Sequence, residues 1–128
     1  MTTTKTAKTT RTTYGSITPF ITKDGSQIRE LMHPAQHGNQ AQSFAEAIVE
    51  PGAQTQLHRH HVSEEIYHIT QGTGRMTLGS TQFDVATGDT ICIAPGTPHC
   101  IACTSDMALK ILCACAPAYA HDDTKIIN

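Results

Sequence analysis

A short segment of the chain is rich in residues that bind metal ions. His58 and His60 are two positions apart, so in a β-strand their side chains leave the same face and can converge on one point. Glu65 follows a few residues later, and neutral imidazole and carboxylate are both ligands of divalent transition metals. The spacing predicts a metal site to which His58, His60 and one of the following carboxylates contribute.

Two neighbouring carboxylates compete for the place of the acidic ligand. In an extended strand Glu65 and Tyr67 face one way, whereas Glu64 and His68 face the other. Only one of the two glutamates can therefore look inward. Tyr67, on the face of Glu65, either lines the pocket and presents its hydroxyl to a substrate or is a core tyrosine with a satisfied hydroxyl.

A second segment adds another histidine. Residues 88–99 form a predicted strand, a tight turn at Pro95 and Gly96, and then His99. Three imidazoles and one carboxylate suit one divalent ion such as Fe, Mn, Ni, Cu or Zn, and octahedral coordination would leave two positions for water, oxygen or substrate. A structural zinc site is more often closed and rich in thiolates, so an open, functional site is predicted.

The elements that must position these side chains are short strands separated by turn residues. The pattern of β-branched, aromatic and turn residues predicts strands over 42–50, 65–70, 75–78, 81–85, 90–93, 100–103 and 107–115. In the last of these, Leu109, Ile111, Cys113 and Cys115 alternate with other residues and are predicted to face inward. Because no long helix is indicated, residues 14–128 are predicted to form one antiparallel all-β domain.

The first segment resembles the first conserved motif of the cupin family. That motif is Gly, five residues, His-x-His, three or four residues, Glu, six residues, Gly. Every fixed place is matched, by Gly52, His58, His60, Glu65 and Gly72. The six-residue gap before the last glycine favours Glu65 over Glu64 as the ligand.

The second segment resembles the other cupin motif, which is Gly, five residues, Pro-x-Gly, two residues, His, three residues, Asn. Gly88, Gly96 and His99 match, whereas Ala94 stands at the first proline and Cys103 replaces the asparagine. The resemblance implies a cupin jelly-roll barrel, also called a double-stranded β-helix. It also implies a metal ion held by the three histidines and Glu65, and a homodimer.

The resemblance and the open site together predict a metal-dependent enzyme acting on a small polar or chelating molecule. Oxygenation or oxidative cleavage by a dioxygenase is the reaction expected first, with Tyr67 and Arg75 near the substrate. The alternatives are Lewis-acid chemistry of the isomerase, epimerase, decarboxylase or lyase type, and a non-enzymatic small-molecule-binding or sensor protein.

The remaining parts of the chain offer weaker indications. Residues 2–13 hold eight threonines and nothing to bury, so 1–13 is predicted to be a disordered tail. Residues 117–128 form either a lid over the barrel mouth or an ordinary surface tail. Cys92, Cys103 and Cys113 are expected to face inward, either as small apolar side chains or as oxidisable neighbours of the metal.

Composition limits the partners and the compartment. The chain has 128 residues and a formal net charge of −2, which gives no broad positive field for nucleic acid. It contains no apolar run long enough for a membrane span. An odd number of cysteines and an N-terminus without an apolar stretch lead us to expect a soluble cytoplasmic protein with reduced thiols.

Overall fold

The fold is built from eleven short strands and two single-turn 3-10 helices, as seen in a computed structural model that describes residues 11–128. The strands are β1 (Phe20–Ile21), β2 (Gln27–Met32), β3 (Ser43–Val49), β4 (His58–His60), β5 (Glu64–Gln71), β6 (Thr73–Leu78), β7 (Thr81–Ala86), β8 (Thr90–Ile93), β9 (His99–Cys103), β10 (Leu109–Ala116) and β11 (Thr124–Ile126). The 3-10 helices span Tyr14–Ser16 and His121–Asp123. All seven predicted strands are present as β3 and β5 to β10, whereas β1, β2, β4 and β11 had no predicted bounds.

The strands form two antiparallel sheets that face each other. One sheet has the order β1-β2-β3-β10-β5-β8 and the other has the order β11-β4-β9-β6-β7. Every strand pair within residues 11–128 is antiparallel. This is the all-β, jelly-roll type of architecture that the sequence predicted.

The core lies between the two sheets and follows the alternation of the strands. In β10 the predicted inward side chains are all buried, from Leu109 through Cys115. In β5 the side chains of Glu65, Tyr67 and Ile69 are buried together. The expectation for Cys92 was wrong: Cys92 is exposed, because its neighbours in β8 are the ones that point into the core.

A sharp turn places the last histidine. Gly96 has φ of 81°, a left-handed conformation that glycine adopts without steric cost. Its N–H donates to the carbonyl of His60 at 2.7 Å. The turn between β8 and β9 is thereby attached to β4, and His99 begins β9 directly opposite His58.

Both ends of the described chain contact the barrel. Of the predicted tail, residues 1–10 lie outside the described residues, and the hydroxyl of Thr12 donates to the carbonyl of Leu31 at 2.7 Å. At the other end β11 pairs with β4, so that Thr124 lies opposite His60. Among residues 11–128, no helix has the length and apolar composition needed to span a bilayer.

Candidate metal centre

Three buried histidines come together between the sheets. His58 and His60 lie on β4, and His99 lies on the neighbouring strand β9. Their side chains are almost fully buried, with exposed fractions of 2%, 5% and 0%. One ring nitrogen from each lies within 4.8 Å of the other two. The structure thus brings together all three histidines that the sequence predicted to be near one another.

Hydrogen bonds fix which ring nitrogen of each histidine carries a proton. Nδ1 of His58 lies 2.7 Å from the carbonyl of Gln56, and Nδ1 of His99 lies 2.9 Å from the carbonyl of Thr97. A carbonyl oxygen only accepts, so both Nδ1 atoms must donate. In the neutral imidazoles the Nε2 atoms are therefore unprotonated acceptors.

His60 is oriented by a side chain from the C-terminal segment. Its Nδ1 lies 2.9 Å from Oγ1 of Thr124, whose hydroxyl donates to the carbonyl of Ala120 at 3.0 Å. Because the hydroxyl proton is already used, Oγ1 accepts the Nδ1 proton of His60. Hydrogen bonds of this kind typically orient histidines that bind metal ions through Nε2.

The acidic residue of the site is Glu65 on β5, in the opposite sheet. Its Oε1 lies 3.1 Å from Nε2 of His60 and 3.5 Å from Nε2 of His99. Two ligand atoms that are each about 2.0–2.2 Å from one ion lie about 3.0–3.5 Å from each other at octahedral or tetrahedral angles. The alternative carboxylate, Glu64, is exposed.

The ionisation of Glu65 is favoured by its neighbours. Burial alone raises the pKa of this carboxyl, but the adjacent imidazoles of His60 and His99 outweigh burial and bring the pKa to about 2. Glu65 is therefore a carboxylate at neutral pH.

The donor set fits a divalent metal ion. Nε2 of His99 is buried and finds no hydrogen-bond partner among residues 11–128, and an orphaned buried polar atom is unfavourable unless something binds it. Three imidazole nitrogens and one carboxylate oxygen converge on the same space. The residues present could hold one ion of the first transition series or zinc.

A cavity of about 60 Å³ is lined by His58, His60 and Glu65, among other residues. A water molecule needs about 10–15 Å³ of such space, so the cavity has room for a few waters or a small ligand. Burial raises the pKa values of Tyr67, Cys113 and Cys115, and the negative charge of Glu65 raises them further. The phenol and both thiols are therefore protonated at neutral pH.

Comparison with known families agrees with this geometry. Residues 45–115 match the family model described as the cupin domain, which spans more than half of the chain. The chain belongs to the cupin family. Both motif segments fall within the matched residues, which begin inside β3 and end inside β10.

Related proteins cover nearly the whole cupin. An uncharacterised protein of Methanocaldococcus jannaschii is 52% identical over 123 residues, which are 96% of this chain and 98% of that one. The polyketide cyclase RemF of Streptomyces resistomycificus has a TM-score of 0.77 at 18% identity, covering 92% of this chain and 84% of the cyclase. The nucleoside dehydratase Pac13 of Streptomyces has a TM-score of 0.74 at 19% identity, covering 98% and 92%. At these identities the two solved structures show the fold alone.

One predicted site residue of this cupin lies away from the cavity. Arg75 alternates on β6 with the buried Met76, so its side chain points outward. Its Nη1 lies 3.1 Å from Oδ1 of Asp84, and both side chains are exposed. The structure therefore does not place Arg75 beside a substrate in this cavity. Tyr67, in contrast, is buried and lines the cavity.

Among the cavity-lining residues that the sequence did not mark, three lie close to the histidine cluster. They are Asp24, Tyr119 and Thr124. In the sequence Asp24 precedes Gly25, a pair typical of turns, and the C-terminal residues follow no periodic pattern. The contact of the Tyr119 ring with His60, with centroids 5.7 Å apart, depends on the return of the chain end over the barrel, which local sequence does not specify.

Proposed function

We propose that this cupin is a metal-dependent enzyme that acts on a small polar or chelating molecule. The observation that carries the proposal is the convergence of one ring nitrogen from each of three buried histidines beside a cavity, with the Glu65 carboxylate next to His60 and His99. When bound, the ion would polarise an oxygen of the substrate or, if it is a redox metal, support oxygen chemistry.

The chain's own residues have distinct tasks in this proposal. His58, His60, His99 and Glu65 hold the ion. The neutral phenol of Tyr67 is buried in the cavity wall and donates its proton in a hydrogen bond to a substrate oxygen. The two sheets exclude bulk water from these groups, which strengthens each polar contact.

Lewis-acid chemistry, such as elimination, isomerisation or decarboxylation, is the reaction class that the cavity favours. Cys113 and Cys115 line it, and reduced thiols beside an oxygen-activating metal are open to oxidation. Two structural neighbours, a polyketide cyclase and a nucleoside dehydratase, add support, because cyclisation and dehydration need no oxidant.

Oxygenation by a dioxygenase is the second candidate. The observation that favours it is the ligand set itself, because histidine and carboxylate ligands with open positions also characterise non-haem iron oxygenases. The two candidates differ in the metal they need and in whether dioxygen is consumed.

Cytoplasmic location belongs to the same proposal. All five cysteines lie within the described residues and are free thiols. Free thiols persist in reducing compartments, which supports the cytoplasm.

Metal content is the first test. Protein purified without added metal is analysed by elemental mass spectrometry, as wild type and as a His58→Ala/His60→Ala double variant. The matched control is His61→Ala/His68→Ala, because these two histidines lie outside the cluster. We expect about one equivalent of metal in the wild type and the control, and loss in the first double variant.

The identity of the metal then separates the reaction classes. Iron or copper together with oxygen uptake in substrate screens would favour oxygenation, whereas zinc, manganese or nickel without oxygen uptake would favour Lewis-acid chemistry. A wild-type protein that stays free of metal after reconstitution with each ion would overturn the proposal.

A further inference from the structure

A second carboxylate points at the histidine cluster from outside the family motifs. Asp24 lies in the turn between β1 and β2, before the residues 45–115 that match the cupin model. Its Oδ2 lies 3.5 Å from Nε2 of His58. Both side chains are largely buried, with 12% of Asp24 and 3% of His58 exposed.

The orientation of the Asp24 carboxylate is fixed within its own turn. Oδ1 accepts hydrogen bonds from the N–H and the hydroxyl of Ser26, at 2.9 and 2.7 Å. Ser26 is itself buried. With Oδ1 occupied, Oδ2 is the oxygen left to face His58.

One residue holds Asp24 and His58 relative to each other. The N–H of Gln56 donates to the carbonyl of Asp24 at 2.8 Å, and the carbonyl of Gln56 accepts the Nδ1 proton of His58 at 2.7 Å. The distance between Oδ2 and Nε2 is therefore set by backbone contacts on both sides and does not depend on a flexible side chain.

A neutral His58 cannot donate a hydrogen bond to Asp24. Its Nε2 is then an acceptor because Nδ1 donates to Gln56, and a carboxylate oxygen also only accepts. The 3.5 Å separation equals that between Glu65 and His99 and fits two ligands of one ion. A cation between the two acceptors satisfies both.

We propose that Asp24 is a second carboxylate ligand of the metal ion, contacting it on the side of His58. This inference rests on the proposed function, because it presumes that the cluster holds an ion. Two carboxylates neutralise the charge of a divalent cation and favour harder ions such as Mn²⁺ or Fe²⁺. Five protein ligands leave one octahedral position, so a substrate would bind through one atom.

The test compares Co²⁺ affinity of three full-length proteins by chelator competition. They are the wild type, Asp24→Asn and the matched control Asp84→Asn, which alters an exposed aspartate on the outer face. Asparagine keeps the oxygen that accepts from Ser26 and replaces Oδ2 by an amide nitrogen, which cannot bind a cation. We expect Asp24→Asn to weaken Co²⁺ binding by at least about tenfold, because even the loss of a residue that only hydrogen-bonds to a metal ligand typically costs that much. We expect Asp84→Asn to leave the affinity unchanged.

Thermal unfolding of the metal-free proteins shows whether the turn survives. If Asp24→Asn unfolds at the wild-type temperature, the ratio of its Co²⁺ affinity to that of the wild type decides whether Asp24 binds the ion. If it unfolds earlier, the visible absorption of each protein saturated with Co²⁺ decides, because these bands report the ligands of the ion. We expect the spectrum to change in Asp24→Asn and not in Asp84→Asn.

The outcomes separate the two proposals. A wild type that binds no Co²⁺ overturns the metal-dependent function. A wild type that binds Co²⁺, together with an Asp24→Asn protein of equal affinity and identical spectrum, overturns the ligand role of Asp24 alone.

Discussion

At the scale of single residues, the thiol of Cys115 decides how Glu65 presents its carboxylate. Cys115 donates from Sγ to Oε2 of Glu65 at 3.3 Å, while Oε1 faces His60 and His99. The two oxygens thus have different partners. Glu65 is held so that one oxygen is directed at the cluster.

Replacing Cys115 tests this arrangement. We expect Cys115→Ala to weaken Co²⁺ binding by about 10- to 100-fold, because losing a partner of a ligand typically costs that much. Cys115→Ser keeps a donor and should lose less. Cys113→Ala, which creates space in the same cavity without contacting Glu65, is the control. Equal affinities for Cys115→Ala and Cys113→Ala would contradict the role of the thiol.

The ligand residues are also the part of the site that the sequence specified best. His58, His60, Glu65 and His99 stand at the spacings of the cupin motifs. Strand alternation allows only one of Glu64 and Glu65 to face inward, and the six-residue gap before Gly72 selects Glu65. Asp24 could not be found in this way. Its approach to His58 depends on hydrogen bonds between a turn and a distant segment, which no local pattern encodes.

At the scale of strands, the C-terminal segment completes the site. β11 pairs with β4, and Thr124 accepts the Nδ1 proton of His60. The side chain of Asp123 accepts from the N–H groups of Val62 and Ser63, at 2.9 and 3.1 Å. The segment that was expected to be either a lid or a surface tail is thus attached to the strand that supplies two histidines.

A nearly isosteric substitution tests that contribution. Thr124→Val removes the oxygen that orients His60 and should weaken Co²⁺ binding by about 10- to 100-fold. Thr124→Ser keeps the oxygen and should bind nearly as the wild type does. Titration of both variants by chelator competition measures the effect, and an unchanged affinity in Thr124→Val would show that His60 needs no such partner.

Strand length and burial pattern explain which strands the sequence missed. β2 has six residues, but all of them are half-buried, so no alternation marks this strand. The predicted strands β3, β5 and β10 have seven or eight residues, enough for alternation to be visible. β1 has two residues and β4 and β11 have three each. Such short strands are defined by their pairing partners, so their bounds appear only once the sheets are assembled.

At the scale of the whole molecule, the buried thiol of Cys113 lowers stability at high pH. Burial, followed by the charge of Glu65, raises the pKa of Cys113 well above its usual 9.0. Above about pH 9 the unfolded chain loses this proton while the folded protein keeps it, so the free energy of unfolding falls as pH rises. Below pH 9 the contribution is fully present.

Thermal unfolding of the metal-free, reduced protein at about pH 8 and pH 10 measures this effect. We expect a lower midpoint at the higher pH. The difference between the two pH values should shrink in Cys113→Ala and persist in Cys92→Ala, whose thiol is exposed. A pH dependence that is the same in both variants would assign the effect to other groups.

The homodimer stays a prediction, and the outer face of the six-stranded sheet offers a surface for it. Ala114 lies between Phe44 and Ile66 in the register of β3, β10 and β5. The side chains of Phe44 and Ile66 are 40% and 41% exposed. We expect sedimentation equilibrium to give the mass of two chains. Phe44→Glu/Ile66→Glu should give one chain, whereas Val62→Glu, an exposed apolar residue elsewhere, should not.

The origin of the ligands in two different sheets has a mechanical consequence. His58 and His99 belong to the five-stranded sheet and Glu65 belongs to the six-stranded sheet. An ion bound to all three would be a cross-link between layers that are otherwise joined by the apolar core and a few polar contacts. Separation of the sheets would then require breaking coordination bonds, so metal loading would slow backbone hydrogen exchange in both layers together and make the barrel open as one unit.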